Sequence, residues 1–98
     1  MTKAEALSRL RAREADLRAM GIERLSIFGS TARGEAREDS DVDLAATLAD
    51  EVRLDVLEYL AVETRLARML GVRVDLISEP VRRPRLQAQI DRDRVDVF

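Results

Sequence analysis

The sequence predicts an α/β (α+β) fold built on a small sheet, and three observations predict it. Two stretches, 3–20 and 52–70, carry apolar residues at helical period. Three short runs, 24–28, 41–48 and 72–77, alternate apolar and polar residues with the period of a half-buried strand. Glycine or proline follows most of these segments, as chain-reversing turns require. With 98 residues the chain has one domain's worth of sequence, near the lower end for a self-sufficient core, so a single domain over 1–98 is expected.

Thr2 and Glu5 stand at capping-box spacing, and Leu7, Leu10, Leu17 and Met20 recur near helical period up to Gly21, which predicts one helix over 3–20. Arg24 to Phe28 alternates, with Leu25 and Ile27 on one side, and runs into Gly29 as a strand entering a turn. One or two helical turns are expected next. Asp41 to Leu48 places Val42, Leu44, Ala46 and Leu48 on one face and Asp41, Asp43, Ala45 and Thr47 on the other, a half-buried strand with an acidic end. From about Val52 to Leu70 a broad apolar stripe includes Val56, Tyr59, Leu60, Leu66 and Ala67, with Gly71 as the C-cap. Glu63 interrupts that stripe, and the sequence offers no account of it. Val72, Val74 and Leu76 then oppose Arg73, Asp75 and Ile77 in a third strand, and Pro80 and Pro84 mark the loop after it. Pro84 is suited to open a short helix to about Asp91, and Val95 to Phe98 to form a terminal edge strand.

Composition narrows the chemistry. The chain is 46% hydrophobic and 37% charged, which suits a folded domain with a heavily charged surface. Only 3% of residues are aromatic, so the core must be made of Leu, Val, Ile and Ala, and a partner would add useful stability. The net charge of −2, from 17 basic and 19 acidic residues, gives no whole-chain attraction for nucleic acid or an anionic membrane. Without Cys or His there is no disulfide framework, thiolate site or imidazole base, and catalysis would have to run on carboxylates, hydroxyls, cations and backbone. The amino-terminal segment leads into a charged helix rather than an apolar stretch, so neither a signal peptide nor a membrane span is expected, and a cytoplasmic location is.

The chemistry concentrates in Gly29-Ser-Thr-Ala-Arg-Gly34 and Ser40-Asp-Val-Asp-Leu44. A strand that turns at Gly29-Ser30 directly into a helix leaves backbone N–H groups pointing outward, where a phosphate would bind. Ser30 adds a hydroxyl, Gly29 permits close approach to the backbone, and Arg33 supplies a positive charge. Asp41 and Asp43, two apart on a strand, project to one side with Cα atoms about 6–7 Å apart. Their repulsion is relieved by a hard divalent ion such as magnesium, and Asp75 on the next strand would complete a three-carboxylate cluster for two ions. Taken singly these features are ordinary: a Gly-Ser turn is usually only a turn, Asp-x-Asp more often a solvated strand end, Asp75 an exposed strand position and Arg33 a solvated helix charge. Their conjunction is what points to nucleotidyl transfer.

Gly29-Ser30, ten intervening residues and Asp41-Val42-Asp43 resemble the signature of the polymerase-beta-type nucleotidyltransferase superfamily, and the two flanking motifs resemble its minimal nucleotidyltransferase branch. The resemblance continues through Leu70 to Ile77 and the region from Ile90 to Phe98; the one departure is Thr31, where a charged or other polar residue is frequent. It implies a small mixed sheet with helices packed on one face. It further implies that Asp41 and Asp43 bind two magnesium ions, that Asp75 binds one and helps activate an acceptor hydroxyl, and that Gly29 and Ser30 hold the triphosphate of ATP. Members of the branch are often antitoxins of HEPN-domain ribonuclease toxins and transfer AMP onto a toxin tyrosine, so the resemblance implies a protein-AMPylating antitoxin. Relatives that modify antibiotics or RNA carry a further helical domain, and the shortness of this chain favours an acceptor site completed by a partner.

Two other readings stand beside this one. A binding module would neutralise a toxin by contact alone, against which all three carboxylates and Ser30 are intact. A nucleic-acid binder or enzyme would use Arg82, Arg83, Arg85, Arg92 and Arg94, but Asp91, Asp93 and Asp96 interrupt that patch and no aromatic residue is placed for base stacking.

Overall fold

A computed structural model describes residues 1–98. The elements run α1 (Lys3–Arg11), α2 (Glu14–Ala19), β1 (Ile22–Phe28), α3 (Gly29–Arg33), β2 (Val42–Leu48), α4 (Val56–Leu70), β3 (Val74–Ser78), α5 (Pro84–Asp93) and β4 (Val95–Asp96). The four strands form one mixed sheet in the order β3-β2-β1-β4. β1 is antiparallel to both β2 and β4, whereas β2 and β3 are parallel and joined across α4.

Local chemistry accounts for most boundaries. The Thr2–Glu5 capping box is formed, with the Glu5 N–H donating to Thr2 Oγ1 at 3.1 Å. The single helix predicted over 3–20 is two helices, because Arg13 leaves helical geometry at φ −114° and ψ 20°. Leu10 and Leu17 are seven residues apart, two full turns, so their spacing conceals the break. The bend lets α1 pack on α4 while α2 packs on β1, and Ala6, Leu10 and Leu17 all become fully buried. The second long helix starts at Val56 rather than near Val52. Asp55 caps it, accepting from the Glu58 N–H at 2.7 Å, while Glu58 accepts from the Asp55 N–H at 3.3 Å. β3 begins and ends slightly later than expected, at 74–78, and the terminal strand spans only two residues.

Alternation assigns the two faces of the sheet. Leu25, Ile27, Val42, Leu44, Ala46 and Leu76 face α1, α2 and α4, forming the main core with Leu10, Leu17, Val62, Leu66 and Leu70. Each such leucine, fully buried, contributes about 1.5–3 kcal/mol. Ser26, Phe28, Asp43, Ala45, Asp75 and Ile77 occupy the alternate positions and so project to the other face. The expected mixed sheet with its helical layer is therefore present, with one exception: α5 lies on the second face. Ile90 and Leu86 pack there with Phe28, Ala45, Ile77 and Val81, because those alternate positions are too apolar to be left to solvent. The rest of that face carries the acidic residues.

Candidate active site

β1 delivers the chain to Gly29 at one end of the second face, and the antiparallel register places Phe28 opposite Asp43. Gly29 is buried with φ +72°, and a Cβ at this position would overlap the carboxylate of Asp43. No L-residue with a side chain fits there without moving Asp43. α3 follows at once without a side-chain cap at its start, and Gly34 in the left-handed region ends it, its N–H reaching the Ser30 and Thr31 carbonyls. Ser30 is half-buried, whereas Thr31 is 1% exposed with its Oγ1 unpartnered, so the one departure from the family pattern points inward.

Asp43 and Asp75 are direct register partners in the parallel β2/β3 pair and lie on the same face. The Asp43 carboxyl is held above the usual aspartate range, first by burial, then by the neighbouring charges of Asp75 and Asp41, with Arg33 pulling the other way. Asp41 precedes β2 and is exposed; its Oδ1 lies 3.3 Å from Arg73 Nε. The three acids are thus electrostatic neighbours, yet no three of them converge on one point. The register explains this: it sets Asp43 against Asp75, while Asp41 lies ahead of the strand and turns toward Arg73. The donors are all hard carboxylate oxygens, and a carboxylate raised by burial and by its acidic neighbours is what a cation would stabilise, so Asp43 with Asp75 fits a divalent ion.

Arg33 lies close enough to influence Asp43, but two of its donors are committed. Its Nη1 donates to Asp93 Oδ2 at 2.7 Å and its Nε to Glu35 Oε2 at 3.0 Å. The Asp93 side chain is only 3% exposed, so this pair fastens α3 to the end of α5. Asp93 could not have been singled out from sequence, where it is one member of the charged run Arg92-Asp93-Arg94. Arg94 is likewise withdrawn from any basic patch. Its Nη2 meets Glu79 Oε2 at 2.5 Å and Asp91 Oδ1 at 3.1 Å, and its Nη1 meets Glu79 Oε1 at 3.0 Å and Ser26 Oγ at 2.9 Å. Arg92 pairs with Asp93 at 3.3 Å, which leaves Arg82, Arg83 and Arg85 as the exposed remainder of the five arginines.

A mixed sheet whose strand end, glycine turn and register-paired aspartates meet on one face is the arrangement expected of a nucleotidyltransferase, and the comparison with known families shows that class. The nucleotidyltransferase domain family matches residues 5–97, and the chain belongs to it. Its relatives make the likeness more particular. The protein adenylyltransferase MntA of Thermococcus cleftensis is 40% identical over 78 residues, covering 79% of this chain and 77% of that protein. A Methanocaldococcus jannaschii protein named as a protein adenylyltransferase is 35% identical over 78 residues, covering 80% and 82%. A structure described as a minimal nucleotidyltransferase superposes with a TM-score of 0.70 at 38% identity, covering 97% of this chain and 95% of that one. A toxin–antitoxin structure with AMP-PNP shares the fold, with a TM-score of 0.74 at 24% identity over 90% of this chain and 72% of that one.

Proposed function

We propose that this enzyme is an antitoxin that transfers AMP from ATP, with magnesium, to a tyrosine hydroxyl of a HEPN-type ribonuclease toxin, in the cytoplasm where ATP and magnesium are abundant. The observation that carries the chemistry is the placement of Asp43 beside Asp75 on the uncovered part of the second face, with Gly29 against the Asp43 carboxylate. Gly29 and Ser30 hold the triphosphate, and the missing side chain at Gly29 lets a phosphate approach the same carboxylate that binds the cation. Asp43 and Asp75, together with Asp41, would hold two magnesium ions. When bound, the ions neutralise the phosphates and polarise the α-phosphate. Asp75 orients the acceptor hydroxyl and takes its proton as the oxygen attacks the α-phosphate in line and pyrophosphate leaves. A phenol of pKa about 10 is easier to deprotonate there than an alkyl alcohol.

The choice of AMP and of a protein acceptor is supported by the two adenylyltransferase relatives. A protein partner is also supported by Val56 and Leu57 of α4, 74% and 78% exposed, with Leu60 beside them, an apolar strip of the kind proteins cover on association. The test is to incubate wild-type and Asp75→Asn protein with labelled ATP, magnesium and the candidate toxin, mapping adducts by mass spectrometry and assaying ribonuclease activity. We expect a tyrosine-linked AMP and a silenced toxin with wild type alone. Equal inhibition by both proteins without an adduct would establish the binding-module reading instead.

A further inference from the structure

The residue that interrupts the apolar stripe of α4 has a partner in the structure. β3 is an edge strand, hydrogen-bonded to β2 on one side only. Along it, the Arg73 carbonyl accepts from the Val42 N–H at 2.9 Å and the Glu79 N–H donates to the Ala46 carbonyl at 2.8 Å. Odd-numbered residues, Asp75 among them, therefore turn their backbone groups toward β2. In a parallel ladder the even-numbered residues turn both of theirs away, which would leave the N–H and carbonyl of Leu76 unpaired at the edge of the sheet. Two side chains of α4, one helical turn apart, meet both groups. Glu63 Oε2 accepts from the Leu76 N–H at 3.0 Å, and the Tyr59 hydroxyl donates to the Leu76 carbonyl. Leu76 itself is buried in the main core.

We propose that Glu63 and Tyr59 are positioning residues that fix Asp75 beside Asp43. The inference rests on the enzymatic reading above, since Asp75 matters only if it serves the reaction. The residue after Asp75 is held by its side chain in the core and by both backbone groups on α4, while Asp75 is held by β2. Rotation of the strand about its axis, which would swing the Asp75 carboxylate off the face shared with Asp43, is thereby blocked. Burial, then the charges of Glu63 and Asp75, hold the Tyr59 hydroxyl above its usual range, so it remains a neutral donor. Glu63 also lines a groove together with Asp41 and Arg73.

The experiment compares Glu63→Ala, Glu63→Gln and Tyr59→Phe with wild type. It measures kcat and KM for ATP per folded molecule, the amide exchange rate of Leu76, and the carboxyl carbon shift of Asp75 by NMR. We expect Glu63→Ala to lower kcat about tenfold or more with KM near the wild-type value, by analogy with residues that support metal ligands. Glu63→Gln should recover most of that loss because its carbonyl oxygen still accepts. Tyr59→Phe, which deletes one oxygen and keeps the packing, should lie between them. Leu76 exchange should accelerate and the Asp75 signal move in Glu63→Ala. A lower melting temperature with unchanged kcat, Leu76 exchange and Asp75 shift would reduce the clamp to a purely structural contact and overturn the inference. So would a Glu63→Gln protein as impaired as Glu63→Ala, which would make charge rather than positioning the role of Glu63. An inactive wild type whose Leu76 exchange and Asp75 shift still respond to Glu63→Ala would count against the proposed activity and leave the clamp standing.

Discussion

Gly29 has no room for a side chain because Asp43 occupies the space: a Cβ there would lie 3.2 Å from Asp43 Cγ and 3.4 Å from its Cβ, and would overlap the carboxylate itself. Gly29 opens α3 directly after β1 and Asp43 lies on the adjoining strand β2, and their closeness follows from the antiparallel register that pairs Phe28 with Asp43. A phosphate bound at the turn and a cation bound at Asp43 would accordingly be neighbours.

Gly29→Ala should therefore fail for two reasons, which Gly34→Ala separates. Both glycines have positive φ, +72° and +76°, so both alanines carry a backbone strain of about 1–2 kcal/mol. Nothing lies within 4 Å of a Cβ at Gly34. Melting temperatures should fall in both variants, but only Gly29→Ala should lose AMP transfer, because only there is Asp43 displaced. Full activity in a folded Gly29→Ala protein would show that the Asp43 carboxylate tolerates the shift.

Asp43→Asn tests the electrostatics of the same residue. Burial and the charges of Asp75 and Asp41 oppose its ionisation, so the neutral amide should make the metal-free protein at least as stable as wild type at neutral pH. Transfer should be abolished. Adding magnesium with a non-hydrolysable ATP analogue should raise the melting temperature of wild type and leave that of Asp43→Asn nearly unchanged. Equal stabilisation of both proteins would place the cation elsewhere.

The strand pattern was legible in the sequence wherever burial alternates cleanly. Val42, Leu44 and Ala46 against Asp43 and Ala45 announced the register face of β2 and put Asp43 on the other face, whereas the turn of Asp41 toward Arg73 ahead of the strand was not legible. Pairwise relations between distant segments were not legible. Nothing in Asp93 announces Arg33, and nothing in the stripe of α4 announces that Glu63 answers an unpaired N–H of β3. The helix break at Arg13 was hidden because its flanking leucines are two full turns apart. The second-face position of α5 was hidden because Ala45 and Ile77 read as the exposed sides of their strands until Ile90 and Leu86 cover them.

Arg33 combines two demands, and its partner separates them. Its bond to the nearly buried Asp93 joins α3 to α5, while its effect on Asp43 places it at the rim of the site. Arg33→Ala and Asp93→Asn should each lower the melting temperature, since each breaks that link. Only Arg33→Ala removes a positive charge near the phosphates, and it should weaken binding of a fluorescent ATP analogue by about tenfold or less. A similar weakening in Asp93→Asn would assign the whole effect to the placement of α3.

The last prediction concerns the Glu79–Arg94 pair, whose side chains are 10% and 15% exposed. Arg94 meets both carboxylate oxygens of Glu79 and also reaches Ser26 and Asp91, so it fastens the loop after β3 to β1 and α5. That guanidinium holds the Glu79 carboxyl below the usual glutamate range, with help from Gln87 and against the effect of burial. A lowered acid stabilises the fold fully above its ordinary value of about 4.3, and the contribution is lost as pH falls through the lower value it has in the folded protein. At pH 7, Arg94→Ala should cost about 2–3 kcal/mol, because it leaves Glu79 without its counter-charge. Glu79→Gln should also melt below wild type at pH 7, and the gap should close as the pH is lowered through and beneath the glutamate range. Thermal melts of both proteins between pH 7 and pH 3 would measure this directly; a gap of constant size across that interval would mean that Glu79 does not change protonation with folding and that the pair acts through packing alone.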